Sequence, residues 1–446
     1  MTYAAAMEQL SAMAPELYTS AGQPRRKFSL TEFRILLAAL GDPQRSFPAV
    51  LIAGTNGKGS TAATLASILT AAGVRTGLYT SPHLERPNER IRVDGAEIGD
   101  DEFARLFFRV SDVAQELVEN ARLPQHPSFF ETLTAQAFLY FAENRVELAV
   151  LEVGMGGRLD ATNVVEPLLA IVTDISLDHM EWLGSTIRAI AREKAGILRA
   201  GGTLITLPQH PEANQVLGEV ATELDVRGVS AVPYMPGIGV GAETPYEVEA
   251  LGGMVEVDSP LKGAHQHRNL ALAMAAAVEL AETHGLPVTR EAMARGIRET
   301  RWPGRMERLT SGGVEWILDV AHNPAGVWAL RAGLNSALDG ERPGVLVFSC
   351  LKDKPVEEMA QILFPLFDEV IVAEIHSARA ASMESLMAAA EATGTRAVEA
   401  GSVREALELA RLRAMSAERR VAVVSGSVYL VGEARALLLK EGDRTR

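Results

Sequence analysis

The sequence predicts an α/β fold, with a larger N-terminal domain around a parallel sheet and a smaller, Rossmann-like α/β domain after it. Three observations predict it. Short apolar runs alternate with amphipathic helical stretches. The runs fall into two series, separated by Trp302-Pro303-Gly304-Arg305, where Pro and Gly break helical periodicity. The length, 446 residues, exceeds what one ordinary core accommodates.

The first series of candidate strands is 49–53, 76–80, 148–153, 169–174 and 203–206; the second is 314–320, 344–349, 369–373 and 421–425. The helix after the first strand carries Leu65, Ile68, Leu69 and Ala72 on one face and is expected to stop at Gly73. Residues 231–263 are rich in Val, Gly and Pro with alternating apolar positions, which reads as a β-rich excursion. The expected division is a domain over 1–298, a linker over 299–308 and a second domain over 309–446.

Composition narrows the function classes. Apolar residues make up 47% and charged residues 22%, as in a globular chain. No apolar run reaches the roughly 18 residues that span a bilayer. The first residues, which include Glu8 and Glu16, lack a signal-peptide pattern. The single cysteine, Cys350, excludes an internal disulfide and a cysteine-based metal site, and a reducing cytoplasm fits this. The net charge of −14 argues against non-specific nucleic-acid binding. A cytoplasmic protein with neither membrane nor nucleic-acid partners is expected. An acidic chain that binds an anion must gather its cations locally, so Lys and Arg near Gly-rich loops are informative.

One such loop follows the first strand: Ala53-Gly54-Thr55-Asn56-Gly57-Lys58-Gly59-Ser60. Its glycines let backbone N–H groups point inward, the helix N-terminus adds partial positive charge, and Lys58 adds a full one. Strand, glycines, lysine and helix together read as a P-loop phosphate cradle and mark the N-terminal domain as nucleotide-binding. The loop departs from the usual Gly-x4-Gly-Lys-Ser/Thr: Ile52 replaces the first Gly, and Gly59 follows the lysine. Either Ser60 reaches the Mg²⁺ that accompanies ATP, or the metal ligand comes from elsewhere.

Mg²⁺ takes oxygen ligands, and strand C-terminal ends face the ligand crevice of a parallel sheet. Ser81 and Glu152 each end a strand, and Asp178 and His179 follow one. Lys194, in Arg192-Glu193-Lys194-Ala195-Gly196, is a further candidate. Singly, each has an ordinary explanation: a Ser before Pro is commonly a turn residue, a lone His a core or surface group, a helical Lys a solvated one. Glu152 at the end of a buried strand is hardest to explain structurally. Their shared position at strand ends strengthens the joint reading.

With these residues in hand, the chain resembles the folylpolyglutamate synthase/dihydrofolate synthase family of the Mur ligase superfamily. The resemblance runs over nearly the whole chain. It is carried by the phosphate loop, Thr80-Ser81-Pro82-His83-Leu84, Glu152-Val153-Gly154-Met155-Gly156-Gly157-Arg158-Leu159-Asp160-Ala161-Thr162-Asn163, and Leu177-Asp178-His179. Glu193-Lys194-Ala195-Gly196-Ile197, Pro303-Gly304-Arg305, Asp319-Val320-Ala321-His322-Asn323-Pro324 and Ser425-Gly426-Ser427-Val428-Tyr429-Leu430-Val431-Gly432 follow in family order.

The resemblance implies ATP-dependent amide formation with L-glutamate through an acyl phosphate, releasing ADP and phosphate. Thr55, Asn56, Gly57, Lys58, Gly59 and Ser60 would bind ATP, with Asn269, Arg305 and Asp319. Two Mg²⁺ ions would be held by Ser81, Glu152, His179 and a carbamylated Lys194, and Lys58, His179 and Lys194 would be catalytic. Ser128, Phe129, Phe130 and Glu131, with Leu159, Asp160 and Ala161, would line the folate site, where the aromatic faces suit a flat heteroaromatic ring. A loop from Pro82 to Arg92 would cover the folate, with Arg86, Arg90 and Arg92 as cations for anionic ligands, and His322 would serve glutamate. Acceptors would be dihydropteroate or reduced folates, and a monomer is the family expectation.

Two departures stand out. The family's N-terminal Gly-Leu-x-Arg segment reads Ser29-Leu30-Thr31-Glu32 here, preceded by Arg25, Arg26 and Lys27, and Leu51 and Ile52 stand where a His often precedes the loop. Two rival readings share some features. A Mur-type ligase acting on a UDP-linked sugar peptide usually carries a UDP-binding domain before the loop and Thr or Ser where Gly59 stands. A P-loop ATPase switch would turn over ATP in response to a protein partner and be indifferent to glutamate.

Overall fold

The computed structural model describes residues 2–13, 29–237, 239–417 and 419–444; Glu16, Arg25, Arg26 and Lys27 lie outside the described residues. Eight strands form the first sheet: β1 (Ala49–Ala53), β2 (Thr76–Tyr79), β3 (Ile91–Val93), β4 (Ala96–Glu97), β5 (Leu148–Glu152), β6 (Pro167–Val172), β7 (Thr203–Thr206) and β8 (Arg227–Ser230). Their order is β4-β3-β2-β5-β1-β6-β7-β8. The six from β2 to β8 run parallel, and β3 and β4 add an antiparallel edge. β1 therefore lies mid-sheet, with its end beside the ends of β5 and β6.

The parallel strands are buried on both faces, which is why they read as continuous apolar runs. Leu51 and Ala53 pack on one face of the sheet, Val50 and Ile52 on the other. The edge strands escaped the sequence pattern because they carry polar residues. β8 is mostly exposed, and β3 spans three residues.

The helix Lys58–Ala71 stops just before Gly73, whose φ is +82°. It is buried on more than the expected face: Thr61, Ala62, Ala63 and Thr64 are inside as well. Their small size allows close contact with the helices Ala264–His284 and Arg290–Glu299. The tightest point is Gly296, where a Cβ would come within 2.4 Å of the Ile68 Cα. The 231–263 excursion contains an antiparallel hairpin, β9 (Tyr246–Ala250) and β10 (Gly253–Val257).

The helix Arg290–Glu299 ends the N-terminal unit's regular structure, and the second sheet starts at Glu307. It comprises β11 (Glu307–Ser311), β12 (Val314–Asp319), β13 (Val345–Phe348), β14 (Glu369–Ala373), β15 (Arg396–Ala400) and β16 (Val421–Ser425), in the order β11-β12-β16-β13-β14-β15. All pairings are parallel except β11 with β12. Again one core fills each face, Ile317 belonging to one and Trp316 and Leu318 to the other. Among the described residues no helix is long and apolar enough to cross a membrane.

Candidate active site

The phosphate loop is tied to the strand end beside it. The Thr55 and Asn56 amides donate to the Asp174 carbonyl at 2.8 and 3.2 Å, and the Thr55 hydroxyl donates to the Ser176 carbonyl at 3.0 Å. Gly54 and Gly57 have positive φ and no room for a side chain. A Cβ would lie 1.8 Å from Thr173 Oγ1 at Gly54 and 2.1 Å from Asn269 Oδ1 at Gly57. The first N–H groups of the helix Lys58–Ala71 have no intrahelical acceptor and remain for an anion. Lys58 Nζ donates to the Gly54 and Thr55 carbonyls at 3.1 and 3.2 Å, which holds its charge over the loop.

Gly59 has a steric reason of its own. A Cβ there would lie 2.7 Å from the Trp302 ring, which packs onto the helix start from the connection between the two sheets. Helix propensity alone favours Ala over Gly by about 1 kcal/mol; overpacking costs about 1–3 kcal/mol. Gly59→Ala is therefore expected to lower the melting temperature, and a Trp302→Leu background is expected to remove the loss. A Gly59→Ala protein as stable as the parent would show that the ring yields freely.

Ser81, at the end of β2, donates its backbone N–H to Glu152 Oε2 at 3.0 Å. Its hydroxyl is buried with no protein partner. Burial pushes the Glu152 carboxyl above its ordinary pKa, against the opposing pull of Lys58, the Ser81 N–H, Arg305 and Arg90. An orphaned hydroxyl beside a desolvated carboxylate is a donor pair that a hard divalent cation satisfies. Lys194, from the helix Ile187–Ala195, reaches the loop and donates to the Gly54 carbonyl at 2.7 Å. Burial, and then the charge of Lys58, lowers its ammonium to about 7. Such an amine has a substantial neutral fraction near pH 7, and the neutral form can react with CO₂. Among the described residues no three His, Cys, Asp or Glu side chains gather as a metal site. A hard cation here would draw on donors of mixed type, and a carbamate on Lys194 would add an oxygen anion.

The opposite wall comes from the second sheet and its approach. Asp319 ends β12 with both carboxylate oxygens used, accepting from the Met306 and Ala321 N–H groups at 2.9 Å each. Burial raises its pKa, with Arg305 the leading opposing charge. His322 Nδ1 donates to the Val320 carbonyl at 2.8 Å, turning Nε2 toward Asp178. Asn269 donates to Gln266 Oε1 at 2.8 Å and abuts Gly57. These walls enclose a cleft of about 530 Å³. Thr55, Asn56, Gly57, Lys58, Gly59, Ser60, Ser81, Glu152, His179, Lys194, Asn269, Arg305, Asp319 and His322 all line it.

A smaller pocket of about 120 Å³ adjoins it. Phe130, Glu131, Leu159, Asp160 and Ala161 line it, as do Trp182 and Leu183; Ser128 and Phe129 do not. Ser128 and Glu131 form a capping box at the start of the helix Phe129–Glu143, and Phe129 lies under the Arg90 guanidinium at 5.1 Å. The Asp160 carboxylate staples its own loop, accepting from the Met155 N–H at 3.0 Å and the Thr162 hydroxyl at 2.6 Å. Of the three loop arginines, Arg86 pairs with Asp100, Arg90 donates to His83 Nδ1 at 2.9 Å, and Arg92 lies over Trp302 at 5.7 Å.

The chain is similar to known proteins over nearly its whole length. The Mur ligase middle domain matches residues 52–277, and the Mur ligase glutamate ligase domain matches 304–428. A dihydrofolate synthase/folylpolyglutamate synthase of Bacillus subtilis is 34% identical over 418 residues, covering 92% of this chain and 95% of that protein. The chain belongs to the dihydrofolate synthase/folylpolyglutamate synthase family. It is an ATP-dependent ligase. A protein of the same name from Mycobacterium tuberculosis is 37% identical over 92% of this chain and 90% of its own length. Among solved structures, M. tuberculosis folylpolyglutamate synthase complexed with ADP superposes with a TM-score of 0.86 at 34% identity, covering 98% of both chains. E. coli FolC in complex with DHPP and ADP gives 0.82 at 29% identity, covering 100% of this chain and 99% of that one.

Other residues at or beside the two cavities carry little sequence signal. Arg268 lines the cleft and pairs with Asp174, its Nε 2.8 Å from Oδ2. Its position beside Asn269 was the only sequence signal. Trp182 and Leu183, which wall the small pocket, close the tetrapeptide Met180-Glu181-Trp182-Leu183 after His179, and nothing in it marks a pocket. Lys354 approaches from the second sheet, and no local pattern singles it out.

Proposed function

We propose that the chain adds L-glutamate both to dihydropteroate and to the γ-carboxylate of folates. One observation carries this reading: the two cavities share Met155, Gly156 and Leu183. An acceptor whose flat ring sits against Phe130 could therefore extend its carboxylate into the phosphate cleft. The carboxylate attacks the γ-phosphorus of ATP, giving an acyl phosphate and ADP. The glutamate amine then attacks the acyl carbon, the tetrahedral intermediate collapses, and phosphate leaves. Lys58 and the helix N-terminus hold the phosphates in line, and positioning with charge neutralisation is most of what phosphoryl transfer needs. Ser81, Glu152, His179 and carbamylated Lys194 would hold two Mg²⁺ ions, which supply charge neutralisation at the transferring phosphoryl group. Asn269, Arg305 and Asp319 serve the nucleotide, His322 the glutamate, and the division between the two domains falls in 299–308.

The test is ADP release with ATP, L-glutamate and either dihydropteroate or tetrahydrofolate. Turnover with both acceptors is expected. Turnover with tetrahydrofolate alone would reduce the reading to folate-tail extension, and glutamate-independent turnover with neither would overturn it.

A further inference from the structure

Three side chains of the C-terminal unit converge on one carboxylate of the N-terminal unit. Lys354 Nζ lies 2.7 Å from Asp178 Oδ1. Asn323 Nδ2 donates to Asp178 Oδ2 at 3.3 Å and to Asn56 Oδ1, in the phosphate loop, at 3.0 Å. His322 Nε2 stands 3.9 Å from the same Oδ2. On its own side, Asp178 accepts the His179 backbone N–H at 2.9 Å, and the His179 ring nitrogen lies 3.9 Å away. The Lys354 side chain is 5% exposed and that of Asp178 9%, so neither charge is solvated in this arrangement.

A buried ion pair contributes little net stability against water, but breaking it leaves an uncompensated charge. The Lys354–Asp178 contact is made and dry here, and parting the units would require both charges to be hydrated again. Of the side chains that face the Asp178 carboxylate, Lys354 is the nearest cation, at 2.7 Å against 3.9 Å for the ring nitrogen of either histidine.

We propose that Lys354 is a positioning residue that pins Asp178, and so holds the C-terminal unit over the phosphate cleft for the life of the acyl phosphate. The inference rests on the acyl-phosphate reading above. With the pair made, His179 from one unit and His322 from the other flank a single fixed carboxylate at the cleft. With it open, water can take the place of the amine: it adds to the acyl carbon, phosphate leaves, and the free carboxylate returns. ATP is then consumed with no amide formed.

The experiment compares Lys354→Met and Lys354→Arg with the parent, measuring phosphate released per amide formed. Lys354→Met is expected to raise that ratio about tenfold and to raise the KM for glutamate, with nucleotide affinity by calorimetry unchanged; Lys354→Arg keeps the charge and is expected to stay near the parent. A folded Lys354→Met enzyme with the parent's ratio and KM overturns the proposal. An inactive parent would instead count against the ligase reading and leave the ratio undefined. Lysine footprinting of the unmodified chain decides in that case, or if the Met variant does not fold. Lys354 should acylate at least about tenfold more slowly than exposed Lys352, as its burial against Asp178 requires, and equal rates overturn the pinning.

Discussion

Lys58→Ala is expected to abolish glutamate-dependent ADP release, by about 10³-fold or more, while the fold survives. The magnitude follows from what the ammonium faces. It is anchored over the loop by two carbonyls at 3.1 and 3.2 Å, above the helix start that would receive the phosphates. Removing one preorganised donor from a site of developing negative charge costs about 10²–10³ in rate. Lys58 contributes a full charge rather than a dipole, and it is the one cationic side chain within the loop 53–60. The structural loss is small by comparison: two hydrogen bonds to loop carbonyls that already have the helix and the Asp174 strand end for support. The check is steady-state ADP release alongside circular dichroism. A folded Lys58→Ala protein with parental turnover would remove the phosphate role from this loop.

How much of this was legible in the sequence depends on how local the signal is. β1, β5, β6, β12 and β16 are buried on both faces, and their unbroken apolar runs show it. The edge strands β8 and β15 are mostly exposed or half-buried, and the antiparallel β3, β4 and β11 hold few residues that face a core, so composition could not mark them. The insertion of β5 between β2 and β1 is a tertiary event with no sequence signature, yet it places Glu152 beside both Ser81 and the phosphate loop. The strand-end positions of Ser81, Glu152 and His179 needed only the parallel-sheet rule. Gly59 was read through the chemistry it lacks. Its near contact, the Trp302 ring, lies 243 residues along the chain and is visible only in three dimensions. Lys354 is the same case, since what distinguishes it from Lys352 is the carboxylate opposite.

Lys194→Ala is expected to cost about 10²–10³ in turnover, and a short carboxylate such as formate or acetate in the assay is expected to restore part of it. Two states of the residue explain why its charge matters. As an ammonium, Lys194 would place a second cation beside Lys58 and oppose the binding of Mg²⁺. Burial and Lys58 together lower it to about 7, so the neutral amine is readily available. Addition of CO₂ to that amine forms an N–C bond, releases one proton, and turns a cation into an anion with two oxygens. The amine's hydrogen bond to the Gly54 carbonyl at 2.7 Å fixes where that anion would stand. Truncation to Ala leaves a cavity along the lost methylenes, into which a small carboxylate can bring the missing oxygens. Lys194→Arg separates the chemistry from the charge, because guanidinium stays protonated and takes no CO₂. It is expected to be as inactive as the Ala variant and not to be rescued. An active Arg variant would assign Lys194 a cationic role on the loop, and an unimpaired Ala variant would remove it from the site altogether.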